Sequence, residues 1–410
     1  MANNKCRFCN NPLTYDLIDL GMSPLANSFL NSNDITKEEF FPLQVKICDK
    51  CHLVQLNEFA SPKKIFEEYA YFSSFSQSWL EHVKNYADMI VTKYDLKRNS
   101  LVIEIASNDG YLLQFFKQKE IEILGIEPAI NVANVAMQKG IPTLIKFFGK
   151  KTAKELVNDG KQADLLIGNN VLAHVPNLND FVSGLKILLK PTGIITMEFP
   201  HLMQLIIHRQ FDTIYHEHFS YFSLYVVQNI FAVHKLKIFN VEELPTHGGS
   251  LRIYATHYEN DSVVNEKQVD VLIKKEIQFG INDVSSLQNF SIKIKNMRDN
   301  IRQFFISTKN TRKKIACYGA PAKGNTLLNY CSIGTDFVDF TVDASPYKQG
   351  LFLPGTHIPI KNIDEIEKTK PDFLVILPWN LKHEIMKQMS FIREWGGKFV
   401  ILVPEIEVLE

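Results

Sequence analysis

Phe211-Asp212-Thr213-Ile214-Tyr215-His216-Glu217-His218 sets a phenol, two imidazoles and a carboxylate at four consecutive positions, 215 to 218. His201 and His208 precede this stretch, and His247-Gly248-Gly249-Ser250 follows it. An imidazole that changes charge near neutral pH, beside a carboxylate that can orient it, suits general base chemistry. The competing reading is a helix start with incidental histidines, because short motifs recur by chance. Three further stretches weigh against it.

The first is a doubled cysteine pair, Cys6-Arg7-Phe8-Cys9 and Cys48-Asp49-Lys50-Cys51. Each Cys-x-x-Cys offers two thiolates to one tetrahedral ion, and two pairs complete a four-cysteine zinc site. Four thiolates leave no open coordination position, so the zinc is expected to be structural. A redox pair is the alternative. Residues 1–75 are therefore read as a small zinc-binding domain whose core is too poor to stand without metal. At its end Tyr69-Ala70-Tyr71-Phe72-Ser73-Ser74-Phe75-Ser76 reads as a pocket lining or a packing seam, and Tyr71 is expected to reach the active site.

The second stretch must bind a cofactor. Leu101-Val102-Ile103-Glu104-Ile105 is short, apolar and β-branched, as a buried strand should be, and it leads through Ala106-Ser107-Asn108-Asp109-Gly110 into a helix. Further strands end in Glu127, in Asn169-Asn170 and in Glu198-Phe199, with helical stretches between. That alternation predicts a doubly wound α/β unit over residues 76–245, with ligands bound beyond the carboxyl ends of its strands. Glu127 follows the first loop by about 20 residues, where an acid accepts hydrogen bonds from ribose hydroxyls. The loop holds one glycine where a pyrophosphate cradle wants three. It suits a cofactor without phosphates such as S-adenosylmethionine, whose ammonium Glu104 or Asp109 could face. Ser107, Asn108, Gly110, Asn169 and Asn170 complete the expected cofactor site. His174 is expected on the methyl-transfer pocket or, alternatively, as a satisfied structural histidine.

The third stretch lies in residues 246–410. Leu251 to Ala255 alternates like a strand, and residues 264–310 have charged helical spacing. Ile315 to Asn325 then reads as strand, glycine-bearing turn and helix, followed by strands at 340–343, 373–377 and 399–403. This is a second α/β unit. Its first turn could offer backbone N–H groups and Lys323 to a phosphate, or be an ordinary tight turn. Asn380 is a further contact candidate.

Bulk composition fits this division. At 410 residues the chain exceeds the roughly 250–300 at which one core stops growing. Lys+Arg and Asp+Glu each number 45, so no global field attracts nucleic acid or anionic lipid. Any anionic substrate must meet a local cation. The N-terminus lacks the apolar core of a signal peptide, and no run of about 18 apolar residues occurs, so a cytoplasmic, membrane-free protein is expected. Cys317 and Cys331 read as plain buried residues.

Taken in order, the two Cys-x-x-Cys pairs, Ser107 to Gly110, Asn169-Asn170-Val171, Phe211 to His218, His247 to Ser250 and Pro378-Trp379-Asn380 resemble one family from about Cys6 to about Pro404. It is the S-adenosylmethionine-dependent sugar C-3′-methyltransferases of deoxysugar biosynthesis, which act on nucleotide-linked 4-keto-6-deoxy sugars. The resemblance implies a zinc head, a central class I methyltransferase (Rossmann-like) domain and a second Rossmann-like α/β domain that helps hold the nucleotide-sugar. It implies that Tyr215, Glu217 and His218 sit at the reacting carbon, with Tyr71 nearby. His174, His216, His247, Lys323, Asn325 and Asn380 are expected on the substrate side.

A C–H beside a ketone is acidic enough for a placed base, so His218 is expected to remove the C3 proton. Tyr215 or His216 would donate to the enolate oxygen, and Glu217 would orient an imidazole or hold a hydroxyl. The nucleotide, TDP or GDP, is left open, and a monomer is expected. The alternatives are a sugar O-methyltransferase and a non-catalytic nucleotide-sugar binding protein.

Overall fold

A computed structural model describes residues 4–57 and 72–410. Tyr69 to Tyr71, and with them the expected role of Tyr71, lie outside the described residues.

The head contributes strands β1 (Tyr15–Ser23), β2 (Phe41–Ile47) and β3 (Val54–Leu56), paired antiparallel. Along β2 the buried residues are Leu43, Val45 and Ile47, the period of two that a half-buried strand requires. The central unit supplies β4 (Leu101–Ile105), β5 (Glu122–Ile126), β6 (Thr143–Leu144), β7 (Ala163–Asn169) and β8 (Leu189–Pro200). These five are parallel, and β4 is buried at every residue because helices cover both faces. A two-residue strand, β9 (Ser220–Tyr221), leaves the central unit and pairs with β3, closing the head sheet in the order β1-β2-β3-β9.

Two antiparallel strands follow, β10 (Leu236–Leu244) and β11 (Ser250–His257). The central sheet runs β10-β11-β8-β7-β4-β5-β6. The expected domain boundary at 245 thus falls inside a hairpin of this sheet. Strand β11 lies between β8 and β10, buried from Ser250 through Thr256, so the unit continues to His257.

Residues 264–310 form two helices, Lys267–Phe279 and Val284–Asn310, separated at Gly280, which is left-handed at φ 91°. The longer helix buries Leu287, Phe290, Ile294, Met297, Ile301 and Phe305, one stripe at three- and four-residue spacing. The third sheet holds β12 (Ile315–Tyr318), β13 (Thr341–Val342), β14 (Ile360–Lys361), β15 (Phe373–Ile376), β16 (Lys398–Ile401) and β17 (Glu407–Leu409). Its order is β14-β13-β12-β15-β16-β17, parallel except for β17.

Among the described residues the head has no separate core of its own. Leu17, Leu43 and Val45 share one with Ile294, Ile301, Phe305 and Leu327, while Cys6, Leu13, Cys48 and Leu53 share another with Leu178 and Phe181. The head is therefore wedged between the two larger units. No described helix is long and apolar enough to cross a membrane.

Candidate active site

Phe211 and Ile214 are fully buried and Phe219 nearly so, which drags the polar residues between them inside. Thr326, on the helix Ala322–Cys331 of the C-terminal unit, donates its hydroxyl to the Ile214 carbonyl at 3.0 Å. Within this clamp His218 Nδ1 lies 2.8 Å from the Thr213 carbonyl. A carbonyl only accepts, so Nδ1 carries the proton and Nε2 the lone pair. Burial, then the nearby His174 imidazole, hold His218 well below the usual histidine range. It is a neutral imidazole at neutral pH.

Three rings frame it. Tyr215 lies 4.0 Å away between ring centroids, His174 meets it edge-on at 4.8 Å, and Tyr221 at 6.2 Å. Burial lowers His174 to about 4. Glu217 is buried and accepts the Asn27 side-chain amide at 2.6 Å; burial pushes its carboxyl up to about 7, with the Asn27 bond opposing. His216 points the other way, with Nε2 3.2 Å from the Pro42 carbonyl and its ring against Phe41. The two histidines, two positions apart, diverge here because His216 serves the seam with the head while His218 faces the central unit.

A second wall comes from the β10–β11 hairpin. His247 is left-handed at φ 54° and meets Asn170, itself at φ 53°, at 3.1 Å. Such backbone costs roughly 1–2 kcal/mol per non-glycine residue and is held only where its surroundings insist. Trp79 packs on His247 at 5.2 Å and on His82 at 5.0 Å. Behind them buried Glu198, near the end of β8, accepts from Thr246 at 2.8 Å and Arg252 at 2.9 Å and lies 3.0 Å from His82. Gly248 has φ 90°, and a Cβ there would collide with the Trp379 ring.

The C-terminal unit forms the third wall. Trp379 Nε1 donates to Asp212 Oδ2 at 2.6 Å; Asp212 is fully buried, its Oδ1 has no partner, and burial pushes it up to about 6. Lys323 Nζ donates to Asn380 Oδ1 at 2.8 Å and stands 4.7 Å over the Trp379 ring. The turn before it has little to offer an anion: Gly319 N–H is taken by the Val342 carbonyl at 2.6 Å and Ala320 N–H by Asp343 at 2.7 Å. Asn325 is buried and donates to the Ala26 carbonyl at 2.6 Å, joining this helix to the head.

The cofactor crevice opens beyond β4 and β5. Ala106, Asn108 and Gly110 have φ of 56°, 49° and 77°, curling the loop so that Asn108 N–H reaches Glu127 Oε2 at 2.9 Å. Ala129 N–H binds Oε1 at 2.9 Å, and burial pushes Glu127 up to about 7. Each oxygen keeps a second lone pair for a ribose hydroxyl. Glu104 is fully buried with no well-formed hydrogen bond to either oxygen, and burial holds it far above the usual carboxylate range. Asn170 Oδ1 and Asp109 Oδ1 are also buried and unpartnered. Asp109 Oδ2 meets Lys139 at 3.1 Å, and Asn108 Oδ1 accepts Ser73 N–H at 2.9 Å. The Ser107 hydroxyl lies against Gly125, where any Cβ would strike it. Asn169 lies close to the buried Tyr111 phenol. Acceptors without donors suit S-adenosylmethionine, which brings an ammonium group and ribose hydroxyls.

The four cysteine sulfurs lie within 4.8 Å of one another, with Cys6–Cys51 and Cys9–Cys48 at 3.5 Å. A zinc ion ~2.3 Å from each sulfur of a tetrahedron needs sulfurs about 3.8 Å apart, so the set fits. From the knuckle Arg7 donates to the carbonyls of Pro176, at 3.1 Å, and Leu56. Pro176 follows the turn that carries His174.

The structure thus brings together His218, Tyr215, His174, Asn170, His247, Lys323 and Asn380, and turns His216 and Asn325 toward the head. Sequence reasoning left Asp212 and Trp379 without roles although both stood in the quoted motifs, and passed over Trp79, His82 and Asn27. Glu198, an acid ending an apolar strand like Glu104, carried a readable signal; Asn27 carried none.

Family models match the chain in three consecutive parts: a zinc binding domain over residues 6–66, a methyltransferase domain over 79–235 and a C-methyltransferase C-terminal domain over 245–404. The C-methyltransferase NovU of Streptomyces niveus is 33% identical over 407 residues, covering 99% of this chain and 97% of that protein. Among solved structures, magnesium protoporphyrin IX methyltransferase from Synechocystis with bound SAM shares 16% identity over 43% of this chain and 79% of its own, at a TM-score of 0.34. The CcbJ methyltransferase of Streptomyces caelestis shares 10%, over 43% and 89%, also at 0.34.

Proposed function

This chain belongs to the C-methyltransferase family, with S-adenosylmethionine as donor and zinc in its head, and from that premise we propose that it methylates C3 of a TDP- or GDP-linked 4-keto-6-deoxy hexose. The observation that carries the reading is His218: its Nδ1–H is tied to the Thr213 carbonyl and its ring is buried and uncharged. Nε2 is then a base in a dry site, beside a phenol that can donate.

In this reading His218 Nε2 takes the C3 proton as the electron pair moves onto the C4 oxygen. Tyr215 donates a hydrogen bond to that oxygen. Of the two donors expected from the sequence Tyr215 is favoured, since His216 is committed to Pro42. Glu217 holds a sugar hydroxyl, with Asn27 fixing its carboxyl. His174, Asn170 and His247 line the ring, and Glu104, Ser107 to Gly110, Glu127 and Asn169 hold the cofactor. Bound S-adenosylmethionine supplies an electrophilic methyl group. Lys323 and Asn380 meet the substrate from the C-terminal wall.

The test incubates TDP- and GDP-linked 4-keto-6-deoxy hexoses with protein in deuterated water. C3–H should exchange with wild type and stop with His218→Ala, whose S-adenosylmethionine affinity stays intact. Methyl transfer without ring exchange in the wild type would instead indicate O-methylation.

A further inference from the structure

We infer that Lys323 acts on the reacting ring, as the cation that faces the enolate oxygen, and not on the phosphates of the nucleotide. The inference rests on the C3-deprotonation reading above. It starts from where the side chain goes. Lys323 sits at the start of the helix Ala322–Cys331, and its ammonium is drawn inward, over the Trp379 ring and onto Asn380. Trp379 is bonded to Asp212 in the catalytic segment and seated against Gly248 beside His247. The ammonium therefore stands where the catalytic segment, the hairpin loop and the C-terminal wall meet. Its charge reaches Asp212, His218 and His247, in each case opposing a further positive charge or favouring a negative one.

The alternative, a phosphate cradle at the preceding turn, has lost two of the donors that turn would offer. The Gly319 and Ala320 N–H groups are spent on Val342 and Asp343, and the nearby Lys348 is spent on the Ala320 carbonyl at 2.9 Å. The Lys323 ammonium has three donors, of which Asn380 uses one.

The step balances without another reactant. The C3–H bond breaks, its proton passes to His218 Nε2, and its electron pair forms C3=C4 as the carbonyl pair moves to oxygen. Lys323 donates a hydrogen bond to that oxygen and keeps its proton. A cation beside the base makes imidazolium formation harder but stabilises the enolate formed with it. Asp212, buried and bonded to the Trp379 indole, offsets the charge when the site is at rest.

The experiment compares wild type with Lys323→Met and Lys323→Arg, using whichever of the two nucleotide-linked 4-keto hexoses the wild type methylates. C3 deuterium exchange is followed at saturating sugar with S-adenosylhomocysteine bound, and TDP or GDP affinity is measured alone. Loss of one oxyanion donor typically lowers rate by about 10²–10³-fold. Lys323→Met is expected to slow exchange by about that factor with nucleoside diphosphate affinity changed less than about threefold, and Lys323→Arg to retain most of the rate. If the Met variant does not fold, Lys323→Ala should regain exchange with added ethylammonium. Exchange within threefold of wild type in the Met variant, or no ethylammonium rescue of a folded Lys323→Ala, overturns the inference and leaves the deprotonation reading standing. A wild type that exchanges no C3 hydrogen overturns both.

Discussion

The side-chain amide of Asn27 donates to Glu217 Oε1 at 2.6 Å, so a residue of the metal-binding head touches the histidine-rich segment one position before His218. Among the described residues no other side chain donates to Glu217, and the bond is to a buried carboxyl. Asn27→Ala should cost about 1–3 kcal/mol of stability, because the buried group loses this partner. The bond favours the carboxylate, so the loss should be larger at pH 8.5 than at pH 5.5. Thermal unfolding at the two pH values measures it.

Glu217 also sets a slope. Its folded value is raised to about 7 from an ordinary 4.5, so the folded protein holds a proton that the unfolded chain releases. Stability from this group is greatest at low pH and is lost as pH rises between those values. Against Glu217→Gln, wild type should lose about 3 kcal/mol at most between pH 4.5 and 7.5 and no more above. Parallel denaturant titrations of both proteins give the difference. A constant difference across that range contradicts the assignment.

Glu104 should report cofactor binding. Burial pushes its carboxyl well above the usual range, toward the protonated form, and an ammonium brought beside it favours the carboxylate. Binding of S-adenosylmethionine at pH 7 should release about one proton, and Glu104→Gln should remove that release. Calorimetry in two buffers of different ionisation enthalpy reads the proton count.

Zinc removal should disturb more than the head. Cys48 shares a core with Leu178 and Phe181, and Arg7 of the knuckle holds the Pro176 carbonyl beyond His174. Cys48→Ser or chelation should lower the melting temperature of the head and central unit together, and the wild type should carry one zinc per chain by elemental analysis. A calorimetric trace in which only a small separate transition vanishes would show the head to be independent.

Gly248→Ala should strain the third wall. The position has φ 90° and no room for a Cβ beside Trp379. We expect about 1–3 kcal/mol of destabilisation and a raised KM for the sugar substrate, with S-adenosylmethionine affinity unchanged, since the crevice beyond β4 is untouched. Steady-state kinetics together with cofactor titration separate the two effects.

Local pattern alone carried a good part of this protein. The paired Cys-x-x-Cys motifs, the apolar β-branched runs and the acids at their ends specify a metal site and two α/β units, because ligand spacing and strand period are properties of neighbouring residues. It also brought His218 forward, as an imidazole beside a carboxylate. What only the tertiary structure decided is direction and partnership. It turned His216 to Pro42 and His218 to Thr213, although the two are a residue apart. It ran β11 into the central sheet, beyond the boundary read at 245, because pairing with β8 and β10 is a long-range choice. It drew Lys323 from its turn to Asn380 and Trp379, and set Asn27 against Glu217, contacts between residues far apart in the chain that packing of three units alone creates.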